Sequence, residues 1–500
     1  MRFDLVESRF VDTDVRPDAP AVIAADAELS WRELARAAAA WCIAARAEGF
    51  DRDTPVIVRG HKEAEFFVAM TGALLLGAPF VPVDTVYPDE RMRRIARTLG
   101  ASTYFDARRA RFERFDADGE STGDGARAST LREKDLAYVQ FTSGTTGDPK
   151  GVQIGRESVA SLAEWMREDF ALGDAPVFLN QAPFSFDLSM YEVFGTLALG
   201  GTIVMMSRAA CMPGTAFVEA LANARVSTWV STPSFVQQQL LDPRIAQASL
   251  PALTTFLFCG EMLPVSLARR LRERFPGARI INTYGPTEAT VAATWIVVDD
   301  AVLAAHPDRL PIGYARRGGE VFVERDELCI AGPYVMRGYV NRGDLNATKM
   351  FERNGARAFR TGDLGHADAG GLLFCDGRMD DQVKLNGYRI ELAEIDAALA
   401  ALPGWRVCGG GAAAARGRHR CPHRRIRRNG RQRRTRCATG TAAGLAVRGL
   451  PSACHPNMIP SELIACRLLP LTINAKIDRA RLADDYRLAM LDSVVPGDGR

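Results

Sequence analysis

The run Thr142-Ser143-Gly144-Thr145-Thr146-Gly147-Asp148-Pro149-Lys150-Gly151 sets hydroxyls, glycines and one lysine in a segment that is not helical. An apolar run, Ala137-Tyr138-Val139-Gln140-Phe141, precedes it, and a second, with Val152 and Ile154, follows it. Helical periodicity starts later, with Val159, Leu162, Met166 and Phe170 on one face. The order is strand, loop, strand, helix. Glycines let such a loop approach a ligand closely, and successive N–H groups wrap an anion. Thr142, Ser143, Thr145, Thr146 and Lys150 are therefore candidate phosphate contacts. It is not a P-loop, because Gly144 and Gly147 are too close together and Lys150 does not open a helix. Taken alone, the segment reads equally as an ordinary Gly/Ser/Thr turn between strands.

Outward from that loop the chain alternates apolar strands with amphipathic helices up to about residue 370. Pro55-Val56-Ile57-Val58, Pro79 to Val83, Thr202 to Met206, Thr228 to Val230 and Thr255 to Phe258 read as strands, and Glu63 to Leu76 as a helix. This predicts an α/β fold of parallel sheets covered on both faces, with ligands beyond the carboxyl ends of strands. The loops after Phe141, Phe258 and Ile281 should then converge on one cleft. Short strands from Leu310 predict a β-rich subdomain. A charged stretch, Gly377 to Glu391, marks a boundary near Asp380. The expected organisation is a core over 1–379 with its β subdomain at 310–379, a small α+β domain over 380–486 on a hinge, and a tail over 487–500.

Five hundred residues are too many for one compact core. The 47% hydrophobic and 25% charged content is that of a globular chain. A net charge of +3 gives no global field favouring nucleic acid, and no nucleic-acid partner is expected. No secretory signal is read in MRFDLVESRFVDTD, and Val68 to Val83 is too short and too rich in Gly and Pro for a membrane span. The ten scattered cysteines lack a C-x-x-C pair, which suits reduced thiols and a cytoplasmic setting.

One stretch does not fit. No acidic residue occurs between Asp396 and Glu462, and eleven arginines fall between Arg416 and Arg436. It lacks the interleaved aromatics of a nucleic-acid arm, and the spacing of His419, Cys421, His423 and Cys437 is irregular for zinc. Residues 404–455 read as an out-of-frame or otherwise aberrant segment.

Further motifs complete the loop. Asn282-Thr283-Tyr284-Gly285-Pro286-Thr287-Glu288 offers an aromatic face for a base, hydroxyls and a carboxylate able to hold Mg²⁺. Asp363, in FRTGD, suits the two hydroxyls of a ribose, and Arg378 reaches the same sugar or a phosphate. Lys476 is a lone lysine on a polar turn. Asp187 ends FSFD, where a carboxylate in a pocket walled by Phe184 and Phe186 suits an α-ammonium group or caps the helix that follows.

In this order the motifs resemble the acyl-adenylate-forming superfamily over roughly 5–400 and 456–482. Within it, FSFD from Phe184 and FCGE from Phe258 are most similar to the D-alanine–carrier protein ligases. The resemblance implies ATP-dependent formation of an acyl-adenylate, then transfer to the phosphopantetheine thiol of a carrier protein. It implies that Lys476 bridges the substrate carboxylate and α-phosphate, that Glu288 helps bind Mg²⁺, and that Tyr284 stacks on adenine. It also implies that Cys259 and Val291 line the side-chain pocket and favour D-alanine, and that Asp380 is the hinge. Against the family pattern, Ala475 stands where a glycine is common, and the region from Arg316 to Glu327 reads as a shortened hairpin. Adenylation of another small amino acid, acyl-CoA ligase activity, and an inactive nucleotide-binding protein with a defective small domain are the alternatives.

Overall fold

The computed structural model describes residues 1–12, 17–115, 131, 133–143, 149–380, 382–385, 388–392, 395, 405–411, 423–428 and 463–465. The chain divides into two units. The first comprises Met1–Thr85, Ile95–Phe141 and Lys150–Asp380, and the second Val86–Arg94, Thr142–Pro149 and Asp381–Arg500.

The first unit carries two large sheets. One runs in the order Gly338–Tyr339, Lys150–Gly155, Leu136–Thr142, Phe80–Asp84, Val56–Gly60, Thr103–Asp106, Arg111–Arg114. The strands from Leu136–Thr142 to Thr103–Asp106 are parallel. The other runs Tyr314–Ala315, Thr294–Val297, Arg279–Tyr284, Thr255–Phe258, Thr228–Ser231, Val177–Asn180, Thr202–Met205, Pro20–Ile23, Glu28–Ser30. It is parallel from Arg279–Tyr284 through Pro20–Ile23, with antiparallel strands at both edges. Strands such as Val56–Gly60 and Thr255–Phe258 are apolar on both faces because helices cover both sides. Helix Ala64–Leu76 is buried almost all round and stops at Gly77, whose φ of 87° lies in the left-handed region. Helix Trp31–Ala47 begins on a capping box in which Ser30 and Glu33 satisfy each other's backbone N–H groups.

The β-rich subdomain expected from Leu310 is an antiparallel sheet of Glu320–Glu324, Glu327–Ala331, Ala356–Ala367, Met350–Arg353 and Leu373–Arg378. The shortened hairpin is a two-residue turn, Arg325-Asp326, with φ of 53° and 64°. Two successive left-handed residues match the twist of the flanking strands.

In the second unit, Gln382–Leu385 pairs antiparallel with Tyr388–Glu391. A further sheet joins Trp405–Gly411, His423–Arg428 and Leu463–Ala465. Two of those strands fall inside 404–455, so part of that arginine-rich stretch has strand backbone. Among the described residues no helix is long and apolar enough to cross a membrane. Cys42, Cys211, Cys259, Cys329 and Cys375 are free thiols.

Candidate active site

The strand expected to end at Ile281 runs on to Tyr284, and it is a parallel neighbour of Thr255–Phe258, so the loops beyond Phe258 and Tyr284 leave the sheet side by side. Thr283 Oγ1 donates to Phe258 O at 2.8 Å, and Cys259 Sγ lies 3.7 Å from Val291 O. These two loops converge as expected. Of the loop beyond Phe141, 144–148, including Thr145 and Thr146, lies outside the described residues, so its place in the cleft is not described. Thr142 ends its strand and Ser143 is buried. Lys150 opens the next strand, and its Nζ sits 6.0 Å from the Tyr339 ring centroid.

The nucleotide candidates form one hydrogen-bonded group. Tyr284 Oη donates to Asp363 Oδ2 at 2.5 Å, and Arg378 Nη1 donates to Asp363 Oδ1 at 2.8 Å. Burial, and then the Asp363 carboxylate, push the Tyr284 phenol well above its usual range, so it stays a donor. Arg378 also grips Asp380, through Nε to Oδ1 at 2.9 Å and Nη2 to Oδ2 at 2.5 Å. The carboxylate proposed for ribose and the one proposed as hinge thus share one guanidinium. Each Asp363 oxygen accepts one of these bonds and retains a lone pair for a sugar hydroxyl.

Glu288 is fully buried on the turn Thr287–Ala289, and Tyr339 Oη donates to its Oε1 at 2.6 Å. Among the described residues no three His, Cys, Asp or Glu gather as a metal cage. A single carboxylate nevertheless fits Mg²⁺ carried in on phosphates, since that ion keeps several non-protein ligands. Asn282 donates from Nδ2 to Pro311 O at 2.9 Å, holding the strand end in place.

The next residues are strained. Thr290 and Val291 have φ of 52° and 72°, unusual for β-branched side chains. Thr290 is held by a 2.7 Å bond from Oγ1 to Tyr334 O. Gly285 makes the fold-back possible, because a Cβ there would sit 2.4 Å from Ala292 Cα and 2.8 Å from Ala293 N. Both obstacles are backbone. Gly285→Ala is expected to destabilise the first unit by about 3 kcal/mol, the upper end for overpacking. A lower melting temperature together with lost nucleotide binding would show this; an unchanged melt would contradict it.

Asp187 is 8% exposed, so its carboxylate is withdrawn from solvent. It opens a short 3₁₀ turn, Asp187–Ser189, whose N-cap is Phe186. The helix itself starts at Met190, so the alternative reading of Asp187 as its N-cap does not describe the backbone. Asp187 raises the phenols of Tyr138 and Tyr191, second to burial for Tyr138 and a smaller contribution for Tyr191. Phe186 lies beside Gly260, where a Cβ would stand 3.4 Å from its ring. Phe184 packs instead on Phe66, ring centroids 4.9 Å apart. Cys259 and Val291 are both buried.

Residues 11–340 match the family described as AMP-binding enzyme. The chain belongs to this family. As an AMP-binding enzyme it is 38% identical over 413 residues to a D-alanine–D-alanyl carrier protein ligase of Bacillus velezensis, covering 77% of this chain and 80% of that one. It is 40% identical over 378 residues to the ligase of the same name from Lactiplantibacillus plantarum, covering 69% and 72%. Its fold is similar to the adenylation domain AlmE of Vibrio cholerae, solved with glycyl-adenosine-5'-phosphate, at TM-score 0.77 and 18% identity over 96% of this chain and 99% of that one. The amide bond synthetase McbA of Marinactinospora thermotolerans matches at TM-score 0.79 and 18% identity, over 95% and 98%.

Sequence reading missed Tyr339, Thr361 and Lys62. Tyr339 meets Glu288 across 51 residues, and Thr361 supplies Oγ1 to the Asp363 N–H at 2.9 Å. Adjacency of Thr361 to Asp363 was a usable signal; for Tyr339 there was none. Lys476 lies outside the described residues.

Proposed function

We propose that this AMP-binding enzyme activates D-alanine with ATP and passes the alanyl group to the phosphopantetheine thiol of a carrier protein. The observation that carries the reading is the 38% identity to a ligase of that name; the buried Asp187 carboxylate and the buried Cys259 and Val291 support it. In the first step the substrate carboxylate attacks the α-phosphate of ATP, the α–β bridge breaks and pyrophosphate leaves. Two anions meet, so positive charge must grow in effect at the transition state. Lys476 supplies it at the carboxylate and α-phosphate. Thr142, Ser143, Thr145, Thr146 and Lys150 hold the β- and γ-phosphates. Glu288 would help hold Mg²⁺, which would offset phosphate charge. Tyr284, within Asn282 to Thr287, stacks on adenine, Asp363 takes the ribose hydroxyls, and Arg378 orients Asp363. In the second step the thiol displaces AMP from the acyl carbon. The ATP supply and reduced thiols suit the cytoplasm.

Asp380 serves as the hinge between the steps. Asp380→Pro is expected to keep adenylation and lose thioester transfer. Because Arg378 also loses its half-exposed Asp380 partner, KM for ATP should rise by a few-fold, roughly the value of one solvent-exposed ion pair. Asp380→Ala, which frees the same guanidinium but leaves the backbone mobile, should retain transfer. Loss of both steps in the proline variant would reject the hinge. The reaction as a whole is tested by intact-mass analysis of a phosphopantetheinylated carrier protein incubated with D-alanine, ATP and Mg²⁺. One alanyl group per carrier is expected, and none without ATP; an unmodified carrier would contradict transfer.

A further inference from the structure

Lys62 stands in the loop between strand Val56–Gly60 and helix Ala64–Leu76, and it is 5% exposed. A lysine at such a position ordinarily extends into water. Here Nζ donates to Asn180 Oδ1 and, at 2.5 Å, to Ala182 O. It also lies 4.5 Å from the Phe184 ring centroid. Asn180 is fully buried at the end of strand Val177–Asn180, and its Nδ2 reaches both Ala182 O and Glu192 Oε1 at 3.3 Å. Glu192 is fully buried in helix Met190–Leu199, which follows directly after Asp187–Ser189. From the adjoining sheet, Gln140 Nε2 donates to Ser185 O. The segment from Ala182 to Ser185 is therefore tied at its carbonyls from behind, and Asp187 stands at its far end.

Burying an ammonium costs several kcal/mol unless it is bonded and paired. Burial lowers the Lys62 ammonium and raises the Glu192 carboxyl, and each favours the charged form of the other. So costly a group is worth keeping where it holds backbone that must not move. Backbone carbonyls are what it holds, and a shift of a few tenths of an ångström in them moves Asp187.

The geometry points to Lys62 as a positioning residue for amino-acid recognition: through Asn180 and the Ala182 carbonyl it fixes the 182–187 loop, and so sets Asp187 against the substrate ammonium. This rests on the reading of Asp187 given above. The bonds of Lys62 run to Asn180 and Ala182, so its role is to position and not to react.

The test is Lys62→Met, which keeps the length and apolar stem and removes the donors, assayed in the full chain by ATP–pyrophosphate exchange. KM for the amino acid is expected to rise about 10-fold, the loss of one to two hydrogen bonds, with KM for ATP unchanged within about 2-fold. Backbone amides of 182–189 should exchange with deuterium faster than in the parent, and those of 282–288 should not. If Lys62→Met does not fold, Lys62→Gln, which keeps an amide donor without charge, is read the same way with a smaller rise. A fall in melting temperature with both KM values unchanged would overturn the assignment and leave Lys62 a purely structural residue. Equal shifts in both KM values would overturn it too. KM is read on whichever amino acid the parent protein activates, so a preference for another acid contradicts the D-alanine reading and not the loop. A parent protein with no exchange rejects the reading of the site, while unchanged deuterium uptake at 182–189 in the variant rejects the clamp separately.

Discussion

Lys476→Ala is expected to lower ATP–pyrophosphate exchange on the order of 10²-fold or more, the scale of losing one charge partner of the transition state. The loss falls on kcat, because the charge that Lys476 offsets is greatest as the carboxylate oxygen closes on the α-phosphate. Thioester formation from preformed alanyl-adenylate should be spared, since by then the phosphate has been attacked and pyrophosphate has left. Exchange at the parent rate, with a parent that itself exchanges fast, would remove Lys476 from the mechanism. The experiment has a second use, because Lys476 follows the arginine-rich segment in the chain. If that segment prevents delivery of the lysine, the parent protein is already slow and the substitution changes nothing. Resequencing the DNA for 404–455 tests the frame of that segment directly.

Asp187→Asn should have the second-largest effect. Asp187 is 8% exposed, and on the proposed reading its carboxylate pairs with the substrate ammonium away from solvent. Removing one member of a desolvated charge pair costs about 3–5 kcal/mol, or roughly 10²–10³-fold or more in kcat/KM for the amino acid. KM for ATP should hold, because the nucleotide group is built on Tyr284, Asp363 and Arg378 and not on this turn. The variant should also lose its preference for alanine over propionate, which lacks the amine. Retained discrimination between the two acids would show that another group reads the ammonium.

Much of the fold was legible because parallel strands buried on both faces are continuous apolar runs. Thr228–Ser231 and Thr255–Phe258 need no alternation to be read. The short edge pieces were not legible: Pro20–Ile23 and Glu28–Ser30 join the nine-stranded sheet through contacts with residues near 203, which no local pattern announces. Site residues carried by contiguous motifs, from Asn282 to Glu288 or Asp363 after Gly362, were visible for the same reason. Partnerships across the chain were not. Tyr339 with Glu288, Lys62 with Asn180, and the sharing of Arg378 between Asp363 and Asp380 depend on tertiary packing alone. The strain at Thr290 and Val291 was hidden too, because β-branched residues argue locally for extended backbone. Within 404–455, composition alone offered no apolar period, yet Trp405–Gly411 and His423–Arg428 pair as strands, with the arginine-rich one in the middle of its sheet.

The central claim is that this chain activates D-alanine as an adenylate. ATP–pyrophosphate exchange by the full-length protein with Mg²⁺, across D-alanine, L-alanine, glycine, D-serine and acetate, tests it most directly. Exchange should be fastest with D-alanine, weaker with the other amino acids and absent with acetate. Exchange driven best by acetate, or none with any acid while ATP still binds, would contradict it.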